Sequence, residues 1–393
     1  MKVLHLFPVH EIGGAESVLL NLMRFRRRTD VAHEALLIAN ENGALGAELT
    51  KMGTPWARVP RGRMRNPRAL WAACAAVREQ VIARRPDVLL SNSTQGFLYG
   101  RLATVRLGLP GALYQMSVPD IRWWHNGPLD WLTPVARPDL VFAASNAIRD
   151  RVAHWSSNPV RTVYHGTPVP IADVNGVARV EHELAERGVP RDATVVLMPG
   201  RLQAWKGQRL FLQAFADVHA AHPDAHAVCL GSALFGLDPD YPRQLADDVR
   251  ARGLDSHFHL VPHQSVAPWL DRAAIVVHAS LTPDAFPNVC IEALASKRAL
   301  VTNTLAGTSE ILENGRDAMV VPATDAAALS GAIRDLLDNR TRREQVAEAG
   351  YRTYLRTCTP EHMVDAIESS LIDVVASGTG MRTKKAAKRP QAA

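Results

Sequence analysis

The chain has 393 residues, 47% of them hydrophobic and 21% charged, with a net charge of +6. That length exceeds a single core of usual size, so two domains are expected, and the composition is that of a globular protein, which excludes a disordered or fibrous chain. No apolar run approaches the roughly 18 residues that span a bilayer, the N-terminus lacks signal-peptide features, and Cys74, Cys229, Cys290 and Cys358 have no metal spacing, so a cytoplasmic location with reduced thiols is the expectation.

In chain order, a strand over 2–7 leads into Ile12-Gly13-Gly14-Ala15-Glu16 and a helix over 15–26. An apolar strand, a glycine loop and a helix start collect backbone N–H groups and a positive dipole end at one spot, which attracts phosphate. Strands then read at 33–38, 87–91, 111–116, 139–143 and 160–164, and helices at 67–84, 95–107 and 145–154. Trp123, Trp124 and Trp131 lie between the turns at Pro119 and Pro134, placed to flank an acceptor sugar, meet a membrane interface or pack in the core. A break falls at about 165–190, where Pro168, Pro170 and Gly176 precede a polar stretch.

The second half repeats the alternation. Strands read at 194–198, 226–230, 257–261, 274–278, 299–302 and 318–321, and helices at 207–221, 241–252, 266–272, 289–297, 325–338 and 360–376. Strand–helix alternation at this spacing means βαβ units and parallel sheets, twice over. The fold class expected is therefore α/β, with two Rossmann-like parallel-sheet lobes whose carboxyl-end loops face one cleft. The lobes are expected at 1–165 and 171–360, followed by a helix over 361–378 that returns toward the first lobe and a basic disordered tail over 379–393.

The first strand of the second half runs into Pro199-Gly200-Arg201-Leu202 and then Trp205-Lys206-Gly207. This loop adds two cations, Arg201 and Lys206, to the strand–glycine–helix arrangement, and a nucleoside diphosphate is the ligand that suits it. Further on comes Pro283-Asp284-Ala285-Phe286-Pro287-Asn288-Val289-Cys290-Ile291-Glu292. Pro287 and Asn288 are helix-start signals. Asp284 and Glu292, eight residues apart, suit one polyhydroxylated ligand only if the loop folds back so that each addresses one end of it. Gly231-Ser232-Ala233-Leu234-Phe235-Gly236 has P-loop glycine spacing but continues Leu237-Asp238, so a Walker site is rejected. His219, His222, His257, His259 and His263 lack a matching carboxylate or cysteine set and are not read as metal ligands.

Charge divides the chain. Residues 1–170 hold 21 Lys and Arg against 12 Asp and Glu, net +9; residues 171–378 hold 19 against 27, net −8; the last fifteen add five basic groups. Arg24-Phe25-Arg26-Arg27-Arg28 and Arg61-Gly62-Arg63-Met64-Arg65 concentrate the positive charge, which fits an anionic membrane surface or anionic acceptor as well as a plain solvated face.

Taken together, these motifs resemble the family-4 retaining glycosyltransferases of the two-lobed GT-B fold (glycosyltransferase group 1), over nearly the whole chain. The resemblance implies that Gly13, Gly14 and Glu16 form the loop approaching the donor diphosphate, and that Arg201 and Lys206 bind its phosphates. It implies that the family's two glutamates, which bind the donor sugar and the ribose, appear as Asp284 and Glu292. Phe286, Pro287 and Asn288 look like members using UDP-linked sugars, and Ala306-Gly307-Thr308-Ser309-Glu310 stands for a Gly-Gly-x-x-Glu loop. Arg201, Lys206 and Asp284 are the catalytic candidates; Gly13, Gly14, Glu16, Phe286, Pro287, Asn288, Glu292 and Glu310 are the substrate-binding ones.

Two departures stand out. Asp284 is one methylene shorter than the family's glutamate. Many members carry a histidine after the strand near 111–116, whereas this chain reads Tyr114-Gln115-Met116-Ser117-Val118-Pro119-Asp120, leaving Asp120 and His125 as nearby candidates for that polar role. The function implied is transfer of a hexose from a nucleoside-diphosphate donor, UDP-linked in preference to GDP-linked, to a glycan or lipid-linked acceptor in cell-surface polysaccharide or glycoconjugate assembly. No metal, cofactor or nucleic acid is expected. A nucleotide-sugar 2-epimerase of the same fold and a non-catalytic sugar-nucleotide or glycan binder are the alternatives.

Overall fold

A computed structural model describes residues 1–63, 66–117, 136–154, 156–233 and 238–386. The chain divides into two compact units, Met1–Gly166 with Pro360–Ala393, and Thr167–Thr359.

The first unit holds a seven-stranded sheet: β1 (Lys2–Phe7), β2 (Ala32–Ile38), β3 (Trp56–Val59), β4 (Val88–Ser91), β5 (Gly111–Gln115), β6 (Leu140–Ala143) and β7 (Val160–Thr162). The order is β3-β2-β1-β4-β5-β6-β7, and every pairing is parallel. The second unit holds six: β8 (Thr194–Pro199), β9 (Ala225–Leu230), β10 (Phe258–Val261), β11 (Ile275–Val277), β12 (Ala299–Asn303) and β13 (Met319–Val321). Their order is β10-β9-β8-β11-β12-β13, again all parallel. Both are doubly wound sheets, as the strand–helix alternation predicts.

Burial explains which strands the sequence reveals. β4, β5, β6, β9 and β12 are buried at every position, because helices cover both faces of a parallel sheet. The edge strand β3 buries only Val59 fully and was not expected from the sequence.

Helix starts follow local chemistry. The helix Pro67–Arg84 begins where expected: the Asn66 side chain accepts from the Arg68 and Ala69 N–H groups, and Pro67 takes the first helical position. Three helices fall where no helix was expected, Ala44–Lys51, Val174–Glu186 and Arg340–Thr357. The second occupies the presumed break. Asp173 caps it through the Gly176 N–H at 2.7 Å, and only Gly176, Val180 and Leu184 are buried. The third is capped by Asn339, whose side chain accepts from the Arg342 N–H at 2.9 Å. Arg340–Thr357 carries only a weak apolar period, which is why it escapes a pattern search, whereas Val174–Glu186 carries a clear one through Val177, Val180 and Leu184 that the break signals of Pro168, Pro170 and Gly176 mask.

The last helix, Pro360–Ala386, belongs to the first unit, where Met363, Val364, Ile367 and Leu371 are buried. It runs through the first eight residues of the segment expected to be disordered, because Met381-Arg382-Thr383-Lys384-Lys385-Ala386 contains good helix formers and no proline. Its Glu368, fully buried, receives His33 Nε2 at 3.0 Å, and His33 Nδ1 lies 2.8 Å from His5 Nε2. Burial, and then the neighbouring His33, keep His5 well below its ordinary pKa.

Candidate active site

In the second unit, sheet order reverses between β8 and β11, and the candidate residues gather at the carboxyl ends there. After β8 the backbone leaves through Gly200, at φ +155°, and returns through Gly207, at φ +84°. Glycine at 207 is required twice over: the left-handed region disfavours a side chain, and a Cβ there would collide with the Ala279 carbonyl oxygen. Gly207 therefore lets the Lys206 loop lie directly on the chain leaving β11. The Leu281 N–H donates to the Trp205 carbonyl at 2.7 Å, which fastens the two loops.

This close approach brings Lys206 Nζ to 2.6 Å from Asp284 Oδ2. His278 Nε2 lies 3.1 Å and Ser280 Oγ 3.2 Å from the same oxygen. Lys206 also rests 4.1 Å from the centroid of the Trp205 ring, and the Arg201 guanidinium 6.0 Å from it. Burial alone would raise Asp284, but the His278 hydrogen bond and the Lys206 charge outweigh it and hold the carboxyl well below its usual range.

The 306–310 loop is tied to the same place. The Asp284 N–H donates to the Leu305 carbonyl at 3.0 Å, and the Gly307 N–H to the Asp284 carbonyl at 2.7 Å. Glu310 is exposed on the short turn Gly307–Ile311. Phe286 and Pro287 are buried, Pro287 is the N-cap of the helix Asn288–Ala295, and Asn288 opens that helix, part-exposed. Glu292 lies one turn in, part-buried, and among the described residues its carboxylate has no hydrogen-bond or ion-pair partner. Burial pushes it up to about 7. No direct contact joins Glu292 to Asp284 among the described residues.

The first unit has a corresponding point, where its order reverses between β1 and β4. Gly13 caps the helix Gly14–Arg24, and its N–H donates to Glu16 Oε2 at 3.1 Å. The side-chain amide of Asn92, just past β4, donates to Glu16 Oε1 at 3.0 Å. Each oxygen of Glu16 thus accepts one donor from within the unit, which braces the glycine loop.

Sequence reasoning missed His278, Ser280 and Thr302. His278 and Ser280 directly follow β11, so a polar pair closing an apolar run was the available signal. Asp120, His125, Trp123, Trp124, Trp131, Met64, Arg65 and the 234–237 stretch lie outside the described residues. One Asp-x-Asp triplet, Asp238-Pro239-Asp240, occurs in the chain; Asp240 pairs with Arg243 at 3.5 Å. Among the described residues no group of three or more His, Cys, Asp or Glu could hold a metal ion. The histidines of the second unit stack instead: His226 Nδ1 lies 3.1 Å from His259 Nε2, and His257 packs between His219 and His226.

Two family profiles cover both units. The profile described as Glycosyltransferase Family 4 matches residues 12–169, and that described as Glycosyl transferases group 1 matches residues 193–339. The chain belongs to the family-4 glycosyltransferases. Among curated members it is 28% identical to D-inositol 3-phosphate glycosyltransferase of Acidothermus cellulolyticus over 307 residues, 72% of this chain and 67% of that one. It is also 28% identical to the protein of the same name from Corynebacterium kroppenstedtii, over 54% of this chain and 49% of that one. The chain thus spans about half to two thirds of the length of these relatives. Among solved structures, Anabaena HepE in complex with UDP and glucose superposes with a TM-score of 0.81 at 20% identity, covering 94% of this chain and 99% of that one. That likeness supports the GT-B fold for this glycosyltransferase-family chain.

Proposed function

We propose that this chain is a retaining glycosyltransferase that moves a hexose from a nucleoside-diphosphate sugar, UDP-linked in preference to GDP-linked, to a glycan or lipid-linked acceptor in cell-surface polysaccharide or glycoconjugate assembly. The observation that carries the reading is the Lys206–Asp284 contact at the switch point of the second unit, in a chain of this family. Negative charge grows on the diphosphate as the glycosidic bond to it breaks, and Lys206 and Arg201 are the cations placed to stabilise it. Glu292 takes the ribose hydroxyls and Asp284 the sugar, each as an acceptor. Retention at the anomeric carbon rests on the family resemblance. The UDP preference is supported by the Phe286-Pro287-Asn288 sequence and by the UDP and UDP-glucose complexes of HepE. The acceptor falls to the first unit, whose positive charge suits an anionic acceptor such as the phosphate named in the curated relatives.

The test is turnover. The protein is incubated with UDP- and GDP-sugars, with and without glycan and lipid acceptors, while nucleoside diphosphate release and products are followed. Acceptor-dependent release and a glycosylated product are expected. An epimerised sugar nucleotide formed without acceptor, or no turnover with any pair, contradicts the proposal.

An anionic membrane surface is a further proposed partner, supported by one face of the first unit. Among the described residues no helix is long and apolar enough to cross a membrane. Trp71 on the helix Pro67–Arg84 is 77% exposed and lines a groove of about 330 Å³ with Leu70, Cys74 and Leu102. Arg78 lines the same groove, and the exposed Arg61 and Arg63 lie in the loop that precedes the helix. The Arg24–Arg28 cluster is less available: Arg24 pairs with Glu48, Arg27 with Asp365 and Arg28 with Asp30. Each basic group near such a surface contributes about 1 kcal/mol. Trp71→Ala should weaken co-sedimentation with anionic vesicles at low salt. Equal binding to neutral and anionic vesicles, or none to either, removes this partner.

A further inference from the structure

Asp284 ends in a short side chain, yet its carboxylate is held by three groups on one oxygen. Its other oxygen has no hydrogen-bond partner among the described residues. What fixes this geometry is the histidine behind it. His278 follows β11, is 4% exposed, and its N–H donates to the Val301 carbonyl at 2.9 Å, so its backbone is locked in the sheet. Its ring has three polar neighbours, of which Ser280 Oγ lies 3.0 Å from Nε2. Nδ1 lies 3.2 Å from the hydroxyl of Thr302, on β12, and Nε2 lies 3.1 Å from Asp284 Oδ2.

The proton positions follow from the partners. An ionised carboxylate only accepts, so Nε2 carries the proton and donates toward Oδ2 and the Ser280 oxygen, whose own hydroxyl donates to Oδ2. In the neutral ring Nδ1 must then accept, and the Thr302 hydroxyl is the donor within reach. Thr302 is itself buried, with Cys290 Sγ 3.8 Å from its oxygen. Turned to the other tautomer, the ring would set a lone pair against the carboxylate.

We propose that His278, oriented by Thr302, is a positioning residue for donor binding: it pins Oδ2 of Asp284 beside Lys206 and leaves the other carboxylate oxygen for the sugar. The inference rests on reading the Lys206–Asp284 loops as the donor site. Lys206 supplies the charge, and His278 supplies direction, which a cation on a flexible stem does not. Removal of the ring should therefore affect recognition of the sugar more than recognition of the diphosphate.

The experiment measures binding of UDP and of UDP-glucose by calorimetry to the full chain and to His278→Phe, His278→Gln, Thr302→Val and Lys206→Ala variants. The ratio of the two affinities is the readout, since loss of fold lowers both together. His278→Phe should reduce the UDP-glucose to UDP affinity ratio by about tenfold, the effect of losing one charge-assisted hydrogen bond. His278→Gln, whose amide nitrogen can stand where Nε2 stands, should restore the ratio to within about threefold of the parent. Thr302→Val keeps shape, removes the hydroxyl and should lower the ratio in the same direction. In turnover, His278→Phe should raise the donor KM more than it lowers kcat. An unchanged ratio in Thr302→Val and His278→Phe overturns the proposal, as does a Gln variant no better than Phe. If His278→Phe does not fold, Thr302→Val against His278→Gln decides alone. Lys206→Ala separates the two levels. If it leaves UDP binding intact, or the parent binds neither probe, the donor-site reading fails and this inference with it. If it abolishes UDP binding while the ratio ignores His278 and Thr302, only the His278 inference fails.

Discussion

Glu292 should make nucleotide binding depend on pH near neutrality. Burial without a partner raises its folded pKa from 4.5 to about 7. To accept from ribose hydroxyls it must be ionised. With a pKa near 7 it is ionised about one tenth of the time at pH 6 and nine tenths at pH 8, so UDP affinity should rise about tenfold, or about 1.4 kcal/mol, across that interval. Calorimetric titration with UDP at constant ionic strength measures this. UDP itself loses a phosphate proton around pH 6, in the same direction, so the quantity to read is the difference from Glu292→Gln. That variant should bind more weakly at pH 8 and show a flatter profile. Stability supplies an independent check with a defined sign. The unfolded carboxyl ionises first, so folding stability falls as pH rises from 4.5 through 7, by on the order of 3 kcal/mol for a shift of this size. Glu292→Gln should therefore melt higher than the parent above pH 7. A Gln variant with the parent's pH slope in both UDP affinity and Tm would refute the reasoning.

Asp284→Asn removes the counter-charge 2.6 Å from Lys206. Bare UDP should bind the variant more tightly, by on the order of 1 kcal/mol or about fivefold, while turnover of the sugar nucleotide drops; unchanged UDP affinity would mean that Asp284 and the diphosphate do not share Lys206. The stacked histidines should make the second unit acid-labile. Burial and then neighbouring histidines depress His226 to about 4, and burial and then His226 depress His259 to about 4. Unfolded histidines take up protons near 6.5, so this stability is present above that pH and is lost as pH falls toward 4, by on the order of several kcal/mol for the coupled pair. His226→Asn with His259→Gln should flatten Tm against pH between 6.5 and 4, and an unchanged slope contradicts it.

The central strands were legible because both faces of a parallel sheet are buried, so β1, β4, β5, β8, β9 and β12 read as apolar runs. The edge strand β3, buried fully only at Val59, and the helix Arg340–Thr357, buried only at Val346, Ala347, Gly350, Thr353 and Tyr354, were not. At the candidate site the members were readable one by one from glycine, cation and carboxylate spacing. Their pairing was not. That Lys206 lies on Asp284 depends on Gly207 packing against Ala279, a contact across 72 positions that no local pattern reports. His278 was absorbed into the end of a strand, where its register beside Thr302 becomes visible only once β11 and β12 are paired. Glu16 matched its family position, yet Asn92 takes one of its oxygens, and that neighbour comes from sheet order alone.

The central claim is that the second unit holds a nucleoside-diphosphate sugar through Lys206. A thermal-shift panel of UDP- and GDP-sugars, run in parallel on the parent and on Lys206→Ala, tests it most directly. At one hundred times its Kd a true donor should stabilise the parent by about 2.7 kcal/mol, several degrees in Tm for a unit of this size, and the shift should be largely lost in Lys206→Ala, whose own unliganded Tm falls because Asp284 is left without its counter-charge. A panel in which no sugar nucleotide shifts the parent, or in which Lys206→Ala responds as the parent does, would contradict the account.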